Sequence, residues 1–259
     1  MSGAPRDPWF HLAQRTPARI GQGRAGVSLP TREVLSFALA HAQARDAVHA
    51  RLSIEALANE IAALGFPAIA VESRAADRGV YLRRPDYGRQ LTEASSSRLR
   101  DIAGGPFDLA LILGDGLSAT AVMRHAAAVL RSLLPHVATM GLRLGPVTIA
   151  SGARVALGDE IGSALGARAV AILIGERPGL SAADSLGIYL TYAPERGRQD
   201  SERNCISNVR PEGLAPAAAA AKLAWLIDAA LTRKLTGIGL KDESDMLVAN
   251  GTSQTRTLT

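Results

Sequence analysis

What this chain has little of narrows it first. It carries a single cysteine, Cys205, in 259 residues, which excludes an intrachain disulfide framework and any cysteine-rich zinc site. Aromatic residues make up 4%, so a core has to be assembled from Ala, Val, Leu and Ile. Lysine is scarce: Lys222, Lys234 and Lys241 are the only three among 29 basic residues, and the formal net charge is +5. The arginines are interleaved with acids along helical stretches. A nucleic-acid surface would show basic clustering beside stacking aromatics, so no nucleic-acid partner is expected. No apolar run approaches the ~20 residues of a membrane-spanning helix, and residues 1–8 are polar, without the apolar segment of a secretory signal. The expectation is a cytoplasmic protein with no membrane partner.

Chemical motifs are missing too. Gly-x-Ser-x-Gly is absent, so a hydrolase elbow has no support. Gly21-Gln22-Gly23-Arg24-Ala25-Gly26 has neither a strand before it nor Gly-Lys-Ser/Thr after it, and reads as a connector rather than a nucleotide loop. No Ser-His-Asp set, carboxylate pair or metal-ligand constellation emerges.

What is present suffices for one sizeable core, with 47% hydrophobic residues. Trp9, Phe10 and Leu12 suit a short helix. Residues 31–50 read as a helix with Thr31 as cap, Glu33 in the first turn and an apolar face of Val34, Leu35, Leu39, Ala42 and Val48. His41, Arg45 and His49 recur every four residues and form one stripe. That stripe reads as a polar contact surface rather than a metal site. A second helix, 53–64, is capped by Ser53 and ended by Gly65. Residues 67–72 suit a short strand and 93–102 a helix. Between them, Arg83 and Arg84 either pair with Asp86 or clamp an anion.

From Phe107 onward the pattern becomes regular. Apolar runs 109–113, 147–150 and 169–174 alternate with helices 119–134 and 159–165, which predicts an α/β fold with a wound, mostly parallel sheet flanked by helices. Residues 186–192 supply a further strand. Residues 216–235 form an alanine-rich helix with Pro216 in its first turn, and residues 242–259 are polar and expected to fray. Three parts follow: an N-terminal helical part, 1–104; an α/β domain, 105–240; and a polar tail, 241–259.

Ligands in such sheets bind at the carboxyl ends of strands. Two turns qualify. Gly114-Asp115-Gly116-Leu117-Ser118 places a carboxylate at the sheet edge, either facing a ligand or bracing the turn, with Ser118 capping the next helix. Gly175-Glu176-Arg177-Pro178-Gly179 ends an apolar run, and Glu176 there either accepts hydrogen bonds from a polar ligand or pairs with Arg177 or Arg210. Cys205 lies in a polar loop, Asn204-Cys205-Ile206-Ser207-Asn208, and reads as a packed side chain rather than a nucleophile. His125 reads as packed or exposed rather than catalytic. The residues alone describe a polar ligand surface at one sheet edge with no catalytic machinery.

Taken in order, Thr16-Pro17-Ala18-Arg19, Gly23-Arg24-Ala25-Gly26, Tyr81-Leu82-Arg83-Arg84-Pro85-Asp86, Asp115-Gly116-Leu117-Ser118, Gly175-Glu176-Arg177-Pro178-Gly179-Leu180, Cys205-Ile206-Ser207-Asn208 and Gly237-Ile238-Gly239-Leu240 span nearly the whole chain. This ordered set resembles the small (light) subunit of ethanolamine ammonia-lyase, an adenosylcobalamin-dependent family. The resemblance implies a Rossmann-like domain with an extra N-terminal helical part, packed against a larger barrel subunit that holds ethanolamine. It implies a corrinoid bound base-on between the two subunits, and radical conversion of ethanolamine to acetaldehyde and ammonia, with this chain inactive alone. Carried over by motif, the cofactor-binding positions are Val155, Glu176 and Cys205, with no catalytic residue or metal ligand in this chain. Some members carry a long N-terminal extension associated with packaging in a bacterial microcompartment. This chain starts only a few residues before the shared region, so packaging is disfavoured. The alternative is an α/β nucleotide-binding or assembly subunit without corrinoid contact, with a stand-alone hydrolase a distant third.

Overall fold

Strand β2, Phe107–Gly114, shows why a sheet forms at the centre of this chain. Side chains alternate between the two faces of a strand. Leu109, Leu111 and Leu113 enter one hydrophobic core and Ala110 and Ile112 the other, all of them buried. At about 1.5–3 kcal/mol per buried large aliphatic side chain, a strand buried on both faces demands a layer on each side. The computed structural model describes residues 7–102 and 105–244.

Among those residues there are six strands and eight α-helices. The other strands are β1 (Ala68–Glu72), β3 (Val147–Ser151), β4 (Ala167–Gly175), β5 (Leu186–Tyr192) and β6 (Asn204–Val209). The helices are α1 (Phe10–Ala13), α2 (Thr31–His49), α3 (Ile54–Ala63), α4 (Arg78–Arg83), α5 (Glu93–Arg100), α6 (Ala119–Thr139), α7 (Leu157–Ala164) and α8 (Pro216–Arg233). Helices α3, α6 and α8 pack on the face that carries Leu109, Leu111 and Leu113. On the opposite face, Leu99 of α5 and Leu157 and Ile161 of α7 join Ala110 and Ile112.

The sheet runs β1-β3-β2-β4-β5-β6. The first three pairings are parallel, and β4–β5 and β5–β6 are antiparallel. The α/β class with helices on both faces is as expected. The sheet, however, is mixed, and departs from the parallel winding of a Rossmann-like domain. The reason is connection length. A parallel return needs a crossover of a dozen or more residues, usually a helix, whereas residues 176–185 and 193–203 are too short and too polar to supply one. Within the parallel part, β2 leads to β3 on one side, and the chain then crosses to β4 on β2's other side. The carboxyl ends of β2 and β4 therefore flank a topological switch point.

Three helical expectations need correction. Helix α2 is capped by Pro30 without a side-chain bond, and its buried residues are Ala40 and Ala47. The expected apolar face instead meets solvent: Val34, Leu35 and Leu39 are 50–64% exposed, and Phe37 beside them is 48% exposed. The small alanine side chains let α2 approach the body of the protein, and the large apolar side chains stay at the surface, Phe37 beneath the Arg19 guanidinium at 5.6 Å. Helix α4 went unassigned because only six residues separate its cap, Asp77, which accepts the Val80 amide at 2.8 Å, from Arg84. Helix α6 runs past Pro135 to Thr139, because Leu133 and Val137 stay buried on either side of the one hydrogen bond that proline removes. The polar tail beyond Ser244 lies outside the described residues.

Candidate functional site

At the switch point, β2 and β4 both end in glycine. Gly116, in the turn after β2, has φ +56°, and a Cβ there would collide with the Gly175 carbonyl oxygen; a Cβ on Gly175 would in turn collide with the Ser118 carbonyl. With both side chains absent, the β2–α6 turn lies directly on the end of β4, and the Leu117 amide donates to the Gly175 oxygen at 2.9 Å. Ser118 caps α6 by accepting the Ala121 amide at 3.3 Å and donates its hydroxyl to the Ala183 oxygen at 2.9 Å. Here a cavity of about 390 Å³ opens, lined by Tyr81, Leu117, Val155, Ile174, Glu176 and Tyr189 among others.

Asp115 turns away from this cavity. Its carboxylate accepts the amides of Gly152 at 3.0 Å and Ala153 at 2.8 Å. Burial pushes its pKa above the ordinary value, with those amide bonds opposing. Of its two expected roles it therefore takes the bracing one: it fixes the β3 exit turn that presents Val155.

Tyr81, from α4, forms another wall. Its hydroxyl donates to the Ala153 oxygen at 3.1 Å, and its ring lies under the guanidinium groups of Arg154 at 4.2 Å and Arg78 at 4.6 Å. Burial carries its pKa up to about 12 against the opposing charge of Arg154. Arg78 also donates Nε to the Val48 oxygen at 2.6 Å and Nη1 to the Gly116 oxygen at 2.7 Å. The C-terminal end of α2 is thereby tied to the turn that floors the cavity.

Glu176 emerges from β4 into the cavity rim. Its Oε1 accepts the Ser207 hydroxyl at 2.6 Å, and its Oε2 accepts the Asn208 amide at 3.2 Å and the Ser185 hydroxyl. Neither Arg177 nor Arg210 is its ion-pair partner; Arg210 instead reaches Asn208 and Glu212. A carboxylate offers about four acceptor positions, so three bonds leave one unfilled. Gly187 makes the space for it, since a Cβ there would come within 3.0 Å of Oε1.

Val155 and Glu176 thus line one cavity. Cys205 does not line it. It sits on β6 directly opposite Tyr189 of β5, which does. Cys205 is exposed, yet crowding by the surrounding chain raises its thiol pKa, the Tyr189 hydroxyl opposing and the Glu176 charge adding to the rise. The Tyr189 hydroxyl is pushed far above its ordinary value, chiefly by burial and then by Cys205.

The other candidates lie elsewhere. His125 is buried on α6 with Nε2 3.3 Å from Asp184 Oδ2, where Arg124 also binds at 2.9 Å. This cluster pins the loop between β4 and β5. Arg84 pairs with Asp86 at 2.7 Å, the structural alternative for that motif. His41, Arg45 and His49 form an exposed stripe. A larger cleft of about 900 Å³ between α5 and α7 is lined by side chains already paired, including Arg100 with Glu93 and Arg196 with Glu160. Tyr81, Tyr189 and Arg154 are the residues that sequence reasoning missed. A tyrosine at the outward-alternating position of β5, beside the Gly-Glu turn, was the available signal.

Among the described residues there is no His, Cys, Asp and Glu cluster able to hold a metal, and no helix long and apolar enough to cross a membrane. In the cavity, two protonated phenols and a carboxylate already bound by two hydroxyls and an amide form no acid–base pair. An apolar floor with a few convergent polar groups is instead the makeup of a binding surface.

Comparison with known proteins bears on what binds there. Residues 6–241 match the family model described as ethanolamine ammonia-lyase light chain. A Bradyrhizobium diazoefficiens protein named ethanolamine ammonia-lyase small subunit is 56% identical over 241 residues, covering 93% of this chain and 92% of its own. Proteins of the same name from Rhodopseudomonas palustris and Xanthomonas campestris pv. campestris are 55% and 52% identical, covering 90% and 93% of this chain and 89% and 90% of theirs.

Proposed function

The chain belongs to the ethanolamine ammonia-lyase light-chain family, as a small subunit of that lyase with a large subunit as its partner, and from this premise we propose that the cavity at the β2–β4 switch point is one wall of an adenosylcobalamin site shared with the large subunit. The observation that carries this reading is the juxtaposition of Val155 and Glu176 in a single glycine-floored cavity.

The residues present fit such a group. A corrin ring is a broad plate with apolar faces and a fringe of amides. Val155, Ile174 and the Tyr189 ring offer an apolar counterface, and the free acceptor position of Glu176 suits one amide N–H of the fringe. At about 390 Å³ the cavity is too small to enclose the whole cofactor, which accords with a second subunit closing over it. Cys205, behind Tyr189, would support that counterface at the β6 edge. When bound, the cofactor would supply the carbon radical that begins the conversion of ethanolamine to acetaldehyde and ammonia. The residues of this chain position it, keep water away and hold their own protons.

The N-terminal part, residues 1–104, is proposed to contact the large subunit. The support is the apolar face of α2, where Val34, Leu35, Phe37 and Leu39 stand exposed.

The test is to purify the chain with its large subunit and titrate adenosylcobalamin by absorbance. Glu176→Ala is expected to weaken cofactor affinity with the assembly intact. Unchanged affinity would return Glu176 to bracing the turn. Conversion of ethanolamine by the isolated chain with added cofactor would end the division of roles proposed here.

A further inference from the structure

Arg154 and Val155 also line a second cavity, of about 530 Å³, beside the first. Its charge is one-sided. Arg89, Arg154, Arg196, Arg198 and Arg203 face only two acids, Asp86 and Asp200, and Asp86 is already held by Arg84. Three of these arginines have carboxylate partners of their own: Arg196 with Glu160, Arg198 with Glu202 and Arg203 with Asp159. Among the described residues, Arg89 and Arg154 have none.

Arg154 is fixed in place. Its amide donates to the Gly88 oxygen at 2.8 Å, its Nη2 to the Tyr81 oxygen at 3.1 Å, and its guanidinium lies on the Tyr81 ring. A Cβ on Gly88 would come within 2.7 Å of Arg154 Cγ, so the glycine allows this close approach. Its Nε is nevertheless buried without a hydrogen-bond partner, whereas Nε of Arg203 faces Asp200 at 3.5 Å. A buried donor of a charged group left unmatched is costly until an acceptor meets it. Helix α7 starts at the same place. Its first amides are already engaged, those of Leu157, Gly158 and Asp159 donating to the oxygens of Arg154, Val155 and Ala156, so the arginines alone supply the positive charge.

We propose that this second cavity is a subsite for a phosphate-class anion, with Arg154 as the fork and Arg89 closing the rim. Guanidinium groups suit the paired oxygens of phosphate. The subsite stands on its own charge and geometry. Which molecule brings the phosphate rests on the corrinoid reading of the adjoining cavity. It is either the phosphodiester of the cofactor's nucleotide tail or a free phosphate ester.

Two titrations separate these. Inorganic phosphate is titrated calorimetrically into the full chain. Adenosylcobalamin and adenosylcobinamide, which lacks the nucleotide tail and its phosphate, are titrated by absorbance into the complex with the large subunit. Each is repeated with Arg154→Gln and Arg89→Gln; Arg89 is exposed, so its variant keeps the test open should Arg154→Gln not fold. If the tail is the source, each variant weakens adenosylcobalamin about tenfold more than adenosylcobinamide, the loss of one charge-assisted hydrogen bond, and Arg89→Gln, which lies outside the first cavity, leaves adenosylcobinamide unchanged. If a free ester is the source, neither variant distinguishes the two corrinoids and phosphate binding falls by a similar factor. The proposal is overturned if neither variant alters phosphate binding and both treat the two corrinoids alike. A complex that binds no corrinoid would defeat the reading of the first cavity, and the phosphate titration would still decide the second.

Discussion

Arg203 and Asp159 form an ion pair at 2.8 Å with both side chains 2% exposed. It joins the segment leading into β6 to α7, so the antiparallel end of the sheet is anchored to the helical layer. Removing one partner of a buried pair strands a charge at a cost of about 3–5 kcal/mol, whereas apolar replacement of both is often neutral or better. Asp159→Ala is therefore expected to lower stability in urea unfolding by about that amount, and Asp159→Leu with Arg203→Met by less than either single change. A double variant as unstable as the sum of the singles would mean that the pair does not act as a unit.

The floor of the cavity makes a steric prediction. Gly116→Ala and Gly175→Ala each place a methyl group against backbone carbonyls that cannot move aside, and Gly116 is also left-handed. Each is expected to lose at least ~1–3 kcal/mol, the usual cost of overpacking, visible as a lower melting temperature. Gly179→Ala, whose added methyl would meet only Ala182 backbone at ordinary contact distance, serves as the control and should melt close to the parent chain.

Those glycines show what the sequence could and could not disclose. The strand ends at Gly114 and Gly175 were legible because an apolar run that stops in a Gly-framed turn has few other meanings. Strand β6 was not. Asn204, Ser207 and Asn208 are depleted in strands, and the segment pairs only because it lies at an edge, where Ile206 and Val209 suffice to bury one side. Read as a loop, it hid the pairing of Cys205 with Tyr189. The face of α2 failed for the opposite reason. Its periodicity was real, but amphipathic spacing does not say whether the apolar side meets this chain's core or another molecule. Asp115 was placed correctly at the sheet edge, and its choice between ligand and brace depended on Gly152 and Ala153, distant in sequence.

Asp184 gives a pH dependence. Burial works against its ionisation, but the hydrogen bonds from Arg124 and His125 prevail and hold its pKa below the ordinary 3.8. A carboxyl lowered on folding contributes stability above the unfolded value and loses it as pH falls through the folded one. The stability difference between the parent chain and Asp184→Asn should thus be constant at neutral pH and shrink as pH drops below about 3.8. A difference that widens with acid would reverse the assignment.

Cys205 titrates in the other direction. Because its thiol pKa is raised by burial and by the Glu176 charge, alkylation of the isolated chain by iodoacetamide should keep accelerating at pH values where a free cysteine has levelled off. Glu176→Gln should move that profile toward lower pH. An unchanged profile would uncouple the two residues.

Arg78 links two parts of the molecule directly. One guanidinium holds the last carbonyl region of α2, at Val48, and the carbonyl of Gly116 beneath the cavity. A large subunit seated on α2 and a ligand seated on the Gly116 turn, as proposed above, would act on this one guanidinium. Linkage is reciprocal: whatever factor assembly adds to ligand affinity, the ligand must return to assembly. If assembly raises ligand affinity, the ligand-bound complex is the more stable one by that same factor.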